Sequence, residues 1–184
     1  MCLNLDAKKT TVLLGLAFVL FLALSYVENT VFFTLLGEIL KNPLLAILML
    51  FTHNVLVISL ILLGMTFYVN LVLLNFFKRE KHANIVLEHP KTFAIAFTVM
   101  IVFLSILRGS SLVYGTVSIE YLPIILLVSA PIGIVEGYGI YLTLKKTLSR
   151  TMTLKGLAYI YTVFFIAALM EVGFINLLIF VSHA

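Results

Sequence analysis

The feature that most restricts this chain is the placement of its positive charge. Lys and Arg are confined to short gaps between long apolar runs, and only Arg108 among the 12 stands inside such a run. The runs are about 20 residues long, the length an α-helix needs to cross a hydrocarbon core of about 30 Å. The composition agrees: 62% of residues are hydrophobic and 11% charged, with a mean hydropathy of +1.19. Soluble domains are nearer half apolar and a quarter charged, so a water-soluble core is excluded. The expected fold is an all-α, polytopic membrane helix bundle in one transmembrane domain, 1–184. At 184 residues there is room for five or six spans and no separate soluble domain.

Five spans are expected, at about 11–27, 55–77, 92–114, 119–144 and 156–181. The first, Thr11–Val27, also resembles a signal peptide, with Ala23-Leu24-Ser25 as a cleavage site. A retained helix is expected, because the rest of the chain is itself polytopic. Between the first two spans, residues 30–51 read as a short helical hairpin, interfacial or re-entrant. Gly37 and Glu38 interrupt its first arm, Lys41-Asn42-Pro43 stops it, and neither arm is long enough to span. Asn42 suits a helix N-cap and Pro43 the first helical position.

Counting Lys and Arg fixes an expected topology. Lys8 and Lys9, then Lys78, Arg79, Lys81 and Lys91, then Lys145, Lys146, Arg150 and Lys155 fall on one side, and Lys41 alone on the other. Ten against one, in alternation, places the N-terminus in the cytoplasm and the C-terminus outside a cell membrane crossed several times. The net charge of +4 is thus a topology signal and does not indicate nucleic-acid binding. Membrane lipids are the expected surroundings, with a second copy of the chain or another membrane protein as partner.

The fourth apolar run contains the densest polar information. Ser129, Gly133 and Gly137 recur every fourth residue, a small-residue face that admits another helix closely. Pro131 removes a backbone donor, and Glu136 is an acid about 13 Å above Lys145 at 1.5 Å of rise per residue. Ionisable groups at such depth face protein or trapped water. Asn70 lies at a similar expected depth, about 12 Å above Lys78, so the two side chains are expected to meet. Arg108 and Glu171 lie about 25 Å above Lys91 and Lys155, and their opposite charges predict an ion pair. Asn54, Asn70, Asn75, Arg108, Glu136 and Glu171 make up the expected intramembrane polar network. Gly64, Ser129, Pro131, Gly133 and Gly137 are the expected helix-packing positions. The asparagines read as interhelical hydrogen-bond partners or as ligand contacts.

Catalytic signatures are missing from the sequence. It contains no His-Glu-x-x-His, no Gly-x-Ser-x-Gly and no phosphate-binding glycine loop. His53, His82 and His89 show no ligand spacing, and the single cysteine, Cys2, permits no intrachain disulfide. No enzyme activity, metal or cofactor is expected.

Two segments resemble the stage II sporulation protein M family of integral membrane proteins, found in bacteria and archaea. Asn54 through Asn75, with Gly64 between, is similar to a family helix that starts at asparagine and ends near Asn-Gly. Here Phe76 stands at the glycine, and His53 at one of two starting asparagines. Pro131-Ile132-Gly133-Ile134-Val135-Glu136 is similar to the family's Pro-His-Gly-aliphatic-aliphatic-Glu, with Ile132 at the histidine. The resemblance covers about a quarter of the chain. It implies a five-helix membrane protein with no established catalytic activity, acting with partners in sporulation and envelope remodelling. Asn54, Gly64, Asn75, Pro131, Gly133 and Glu136 would carry over. The function expected is that of a non-enzymatic scaffold or assembly protein. The alternative is a small transporter or substrate-binding membrane subunit that uses Glu136 and Asn70 in a central cavity.

Overall fold

A computed structural model describes the backbone of residues 2–39, 41–74, 76, 85–114 and 122–183, with most but not all of their side chains. Every element among these is helical: α1 (Cys2–Ile39), α2 (Pro43–Leu73), α3 (Ile85–Glu88), α4 (Pro90–Tyr114), α5 (Leu122–Leu148) and α6 (Leu154–His183). Three stretches are long and apolar enough to cross a membrane among the described residues, namely Asp6–Phe32, Pro43–Leu73 and Leu154–Asn176. Pro90–Leu104 in α4 is apolar but shorter.

The expected hairpin at 30–51 is not a separate element. α1 continues for 38 residues to Ile39, and α2 begins at Pro43 and continues for 31 residues through Thr52-His53-Asn54. Polar side chains of α1 from Glu28 onward find partners that leave the helix intact. The Thr30 and Thr34 hydroxyls bond back to the Tyr26 and Thr30 carbonyls, so they consume no outside partner. Glu28 itself finds a hydrogen-bonding partner across the groove in His53. The chain reverses only at Lys41-Asn42. There the Asn42 side chain accepts from the Leu44 and Leu45 amides, and Pro43 takes the first helical position as the sequence predicts. At about 1.5 Å per residue, α2 is about 46 Å long and exceeds a hydrocarbon core of about 30 Å.

α1 and α2 lock by a reciprocal pair of aromatic rings and glycines. A Cβ on Gly15 would stand 2.9 Å from the Phe67 ring, and one on Gly64 would stand 3.0 Å from the Phe18 ring. Each helix thus offers a Gly-x-x-Phe segment, and antiparallel pairing sets each ring over the other's glycine. α2, α5 and α6 pack against one another, α4 docks on α5, and α1 docks on α2. Apolar packing forms two clusters. One joins Phe32, Ile39, Ala46, Leu50, Ala168 and Val172 near the α1–α2 turn. The other joins Ile58, Ala94, Ile140, Leu144, Ile160 and Phe164.

α5 passes through Pro131 without ending, and it closes after Lys145 and Lys146 at Leu148. The Thr151 amide then bonds to the Lys146 carbonyl and the Arg150 amide to the Thr147 carbonyl, at 2.9 and 3.0 Å. Arg150 takes φ 56°, so this is a Schellman-type stop with an arginine where glycine is usual. Thr153 caps α6, accepting from the Gly156 amide at 3.1 Å.

Candidate functional site

The two apolar clusters are separated by a polar layer, and the helical period explains why. Leu50, Asn54 and Ile58 recur at four-residue intervals on α2, so they line one face. Leu50 belongs to the first cluster and Ile58 to the second, which leaves Asn54 at the seam. On α5, Glu136 stands one turn from Ile140 of the second cluster; on α6, Glu171 adjoins Val172 of the first. Glu136 and Glu171 are close enough to interact as like charges, and the Asn54 side chain faces Glu136. Asn54 is 9% exposed, yet its Nδ2 meets no acceptor at hydrogen-bonding geometry. The amide and the carboxylate therefore face each other across a contact that is not closed.

A second polar contact lies toward the α1–α2 turn. His53 Nδ1 lies 2.9 Å from Glu28 Oε2, with side-chain exposures of 19% and 12%. The Phe32 ring, one turn beyond Glu28, stacks on the imidazole at a centroid distance of 5.5 Å. Glu28 Oε1 is buried without a hydrogen-bond partner. Farther along, the Ser59 and Tyr161 hydroxyls meet at 3.3 Å and join α2 to α6.

The expected site residues divide as follows. Asn54, Glu136 and Glu171 come together. Asn70 does not join them. α2 and α5 run parallel with Asn54 level with Glu136, and Asn70 lies sixteen residues on, about 24 Å away along the axis. The expectation failed because both depths were counted from loop cations that do not mark a common level. α5 continues through Lys145 and Lys146 to Leu148, and the register of α2 is set by its packing. The side chains of Arg108 and Ser129, and all of Asn75, lie outside the described residues, so the expected Arg108–Glu171 pair does too.

The glycine face is turned toward α4. A Cβ on Gly137 would stand 3.3 Å from Val102 and 3.6 Å from Thr98, and one on Gly133 3.9 Å from Val102. Gly64 receives Phe18. Gly15 and Gly139, unmarked by any spacing rule, are also packing positions; the Phe164 ring lies where a side chain on Gly139 would go. The Glu28–His53 pair was likewise missed. A carboxylate and a histidine on either side of the Lys41-Asn42 turn, at similar distances from it, were the available signal. Among the described residues, no group of three His, Cys, Asp or Glu side chains gathers in metal-binding range.

Comparison with known proteins leaves these residues to speak for themselves. No family model matches the chain, and neither a curated protein nor a solved structure matches it.

Proposed function

We propose that the protein is a five-span membrane scaffold without chemistry of its own, similar in role to the stage II sporulation protein M family. Its N-terminus would be cytoplasmic and its C-terminus outside, as the alternation of Lys and Arg favours. α4 and α5 would supply the two spans beyond the three that are long and apolar enough by themselves. The observation that carries the reading is the position of α1. It is held by α2 and turns Leu13 and Leu16 outward, 67% and 68% exposed. The polar groups turn the other way. Asn54, Glu136 and Glu171 face one another between α2, α5 and α6. A bundle whose polar groups turn inward, and whose α1 is the least buried of the three long apolar helices, suits the recruitment of another span.

Photo-crosslinking in native membranes tests this, with a benzophenone amino acid at Leu16. A single discrete protein adduct, to a second copy or to one other membrane protein, is the expected result. Adducts to lipid alone would remove the basis for a scaffold. Topology is read separately in a Cys2→Ser background, with Lys41→Cys labelled from outside and Ser149→Cys from inside.

A further inference from the structure

We infer that the cleft between the start of α1 and the end of α2 seats an anionic phospholipid, with an acyl chain between the two helices and the phosphate at Lys8. This requires α1 and α2 to lie in the membrane and holds whether or not α1 recruits another span. The cleft has a volume of about 420 Å3, within the range of about 300–1,000 Å3 that ligand pockets occupy. Thr11, Val12 and Gly15 line it from α1, and Phe67, Leu71 and Phe76 from the other side. The Phe67 ring lies against Gly15, and the Phe76 amide bonds to the Leu71 carbonyl at 3.1 Å, which keeps Phe76 beside the cleft. The Thr11 hydroxyl donates to the Ala7 carbonyl at 2.8 Å, so the one polar side chain in the lining is already satisfied within α1. A polar solute would lose its hydrogen bonds to water there and gain none, whereas hydrocarbon loses nothing.

Position and charge narrow the occupant to a lipid with an acidic headgroup. The apolar stretch of α1 begins at Asp6, five residues before Thr11, and that of α2 ends at Leu73, two residues after Leu71. The cleft thus lies at one edge of the hydrocarbon, where an acyl chain meets its headgroup. Lys8, Thr11, Val12 and Gly15 follow the spacing i, i+3, i+4, i+7 and so share one face of α1. Lys8 and Lys9 are exposed, and among the described residues no ion pair engages either. Helical side chains lean toward the N-terminus, which carries the Lys8 ammonium past the cleft toward the aqueous edge. Asp6 stands two residues from Lys8 and therefore on a different face. An apolar cleft with a cation at its aqueous end complements a fatty chain that ends in a phosphate.

The chain contains no tryptophan, so one introduced at the cleft reports on that place alone. The whole protein carrying Phe76→Trp is reconstituted in phosphatidylcholine vesicles. Its fluorescence is quenched by small fractions of phosphatidylglycerol or phosphatidylcholine bearing the same dibrominated chain. Phosphatidylglycerol should reach half-quenching at about one-fifth of the mole fraction that phosphatidylcholine needs, the preference one lysine near the headgroups confers. Adding Lys8→Gln should remove that preference. Adding Val12→Phe, which fills the cleft from an exposed position, should weaken quenching by phosphatidylglycerol. Tyr159→Trp, on an exposed part of α6 four residues from Lys155, measures what a lysine attracts without this cleft and should show a smaller preference. Equal preference at the two reporters would overturn the inference, since cations alone would then gather the lipid. No preference at Phe76→Trp would overturn it too, the result expected if another helix fills the cleft. So would a preference that survives Lys8→Gln or is untouched by Val12→Phe.

Discussion

The ring of Phe164 on α6 fills the space that any side chain on Gly139 of α5 would need. Phe164 is 2% exposed and belongs to the cluster containing Ile58, Ile140 and Ile160, so the ring has little room to retreat. Gly139→Ala should therefore destabilise the α5–α6 contact. Overpacking costs about 1–3 kcal/mol, and the better helix propensity of alanine returns about 1 kcal/mol. A net loss of up to about 2 kcal/mol is expected as a lowered thermal midpoint in detergent. Phe164→Leu in the same chain should recover part of it, since neighbouring sites are non-additive.

His53 and Glu28 supply a contact of the opposite kind, polar and across the α1–α2 groove. Removing the imidazole would leave a part-buried carboxylate of which one oxygen already lacks a partner. Exposed pairs contribute at most about 1 kcal/mol and the loss of one buried partner costs about 3–5 kcal/mol, so His53→Ala should cost about 2 kcal/mol. Glu28→Gln should cost less, because an amide keeps a hydrogen bond to the ring. A double-mutant cycle in which the Glu28→Ala and His53→Ala losses simply add would show that the pair contributes nothing.

How much of this was readable beforehand depended on the range of the signal. The helical class and the Asn42-Pro43 start of α2 follow from local composition and capping chemistry, and both stand in the structure. The sequence also marks Asn54, Glu136 and Glu171 as polar groups in apolar runs, where a polar side chain has few places to go. Which asparagine meets Glu136 was not legible. That depends on the register of α2 against α5, and register is fixed by contacts such as those of Ile58 and Ile140, far apart in the sequence. Gly37 and Glu38 looked like a helix break for a related reason: a glycine and a carboxylate interrupt an isolated apolar helix, yet α1 continues through both to Ile39, packed against α2. The reciprocal seating of Phe18 and Phe67 on Gly64 and Gly15 joins two short Gly-x-x-Phe segments that no single-helix pattern would link.

Asn42 should be the residue on which the α1–α2 reversal depends. Its side chain satisfies two amides at the start of α2, at 3.1 and 3.3 Å, and no other side chain among the described residues caps that end. Asn42→Ala should cost about 1 kcal/mol, the usual loss for an N-cap. Faster amide exchange at Leu44 and Leu45 is expected, with Leu50 onward unchanged. Asn42→Asp should retain the cap, since a carboxylate accepts the same bonds and favours a helix N-terminus. Slow exchange at Leu44 in the alanine variant would show that the turn is held by packing alone.

Arg150 offers a change in the stabilising direction. Its φ of 56° lies in the left-handed region, where a side chain is crowded against the following carbonyl and glycine is not. The Schellman bonds from Arg150 and Thr151 require that conformation whatever residue stands there. Arg150→Gly should therefore raise stability by about 1 kcal/mol, read as a higher thermal midpoint and slower exchange of the Thr151 amide. The substitution also removes one of four cations from the turn, but Lys145, Lys146 and Lys155 remain to keep it basic. Arg150→Asn tests the backbone argument with a side chain in place, because asparagine tolerates the left-handed region better than most residues. It should fall between arginine and glycine, while Arg150→Val, β-branched and most crowded at positive φ, should fall below all three.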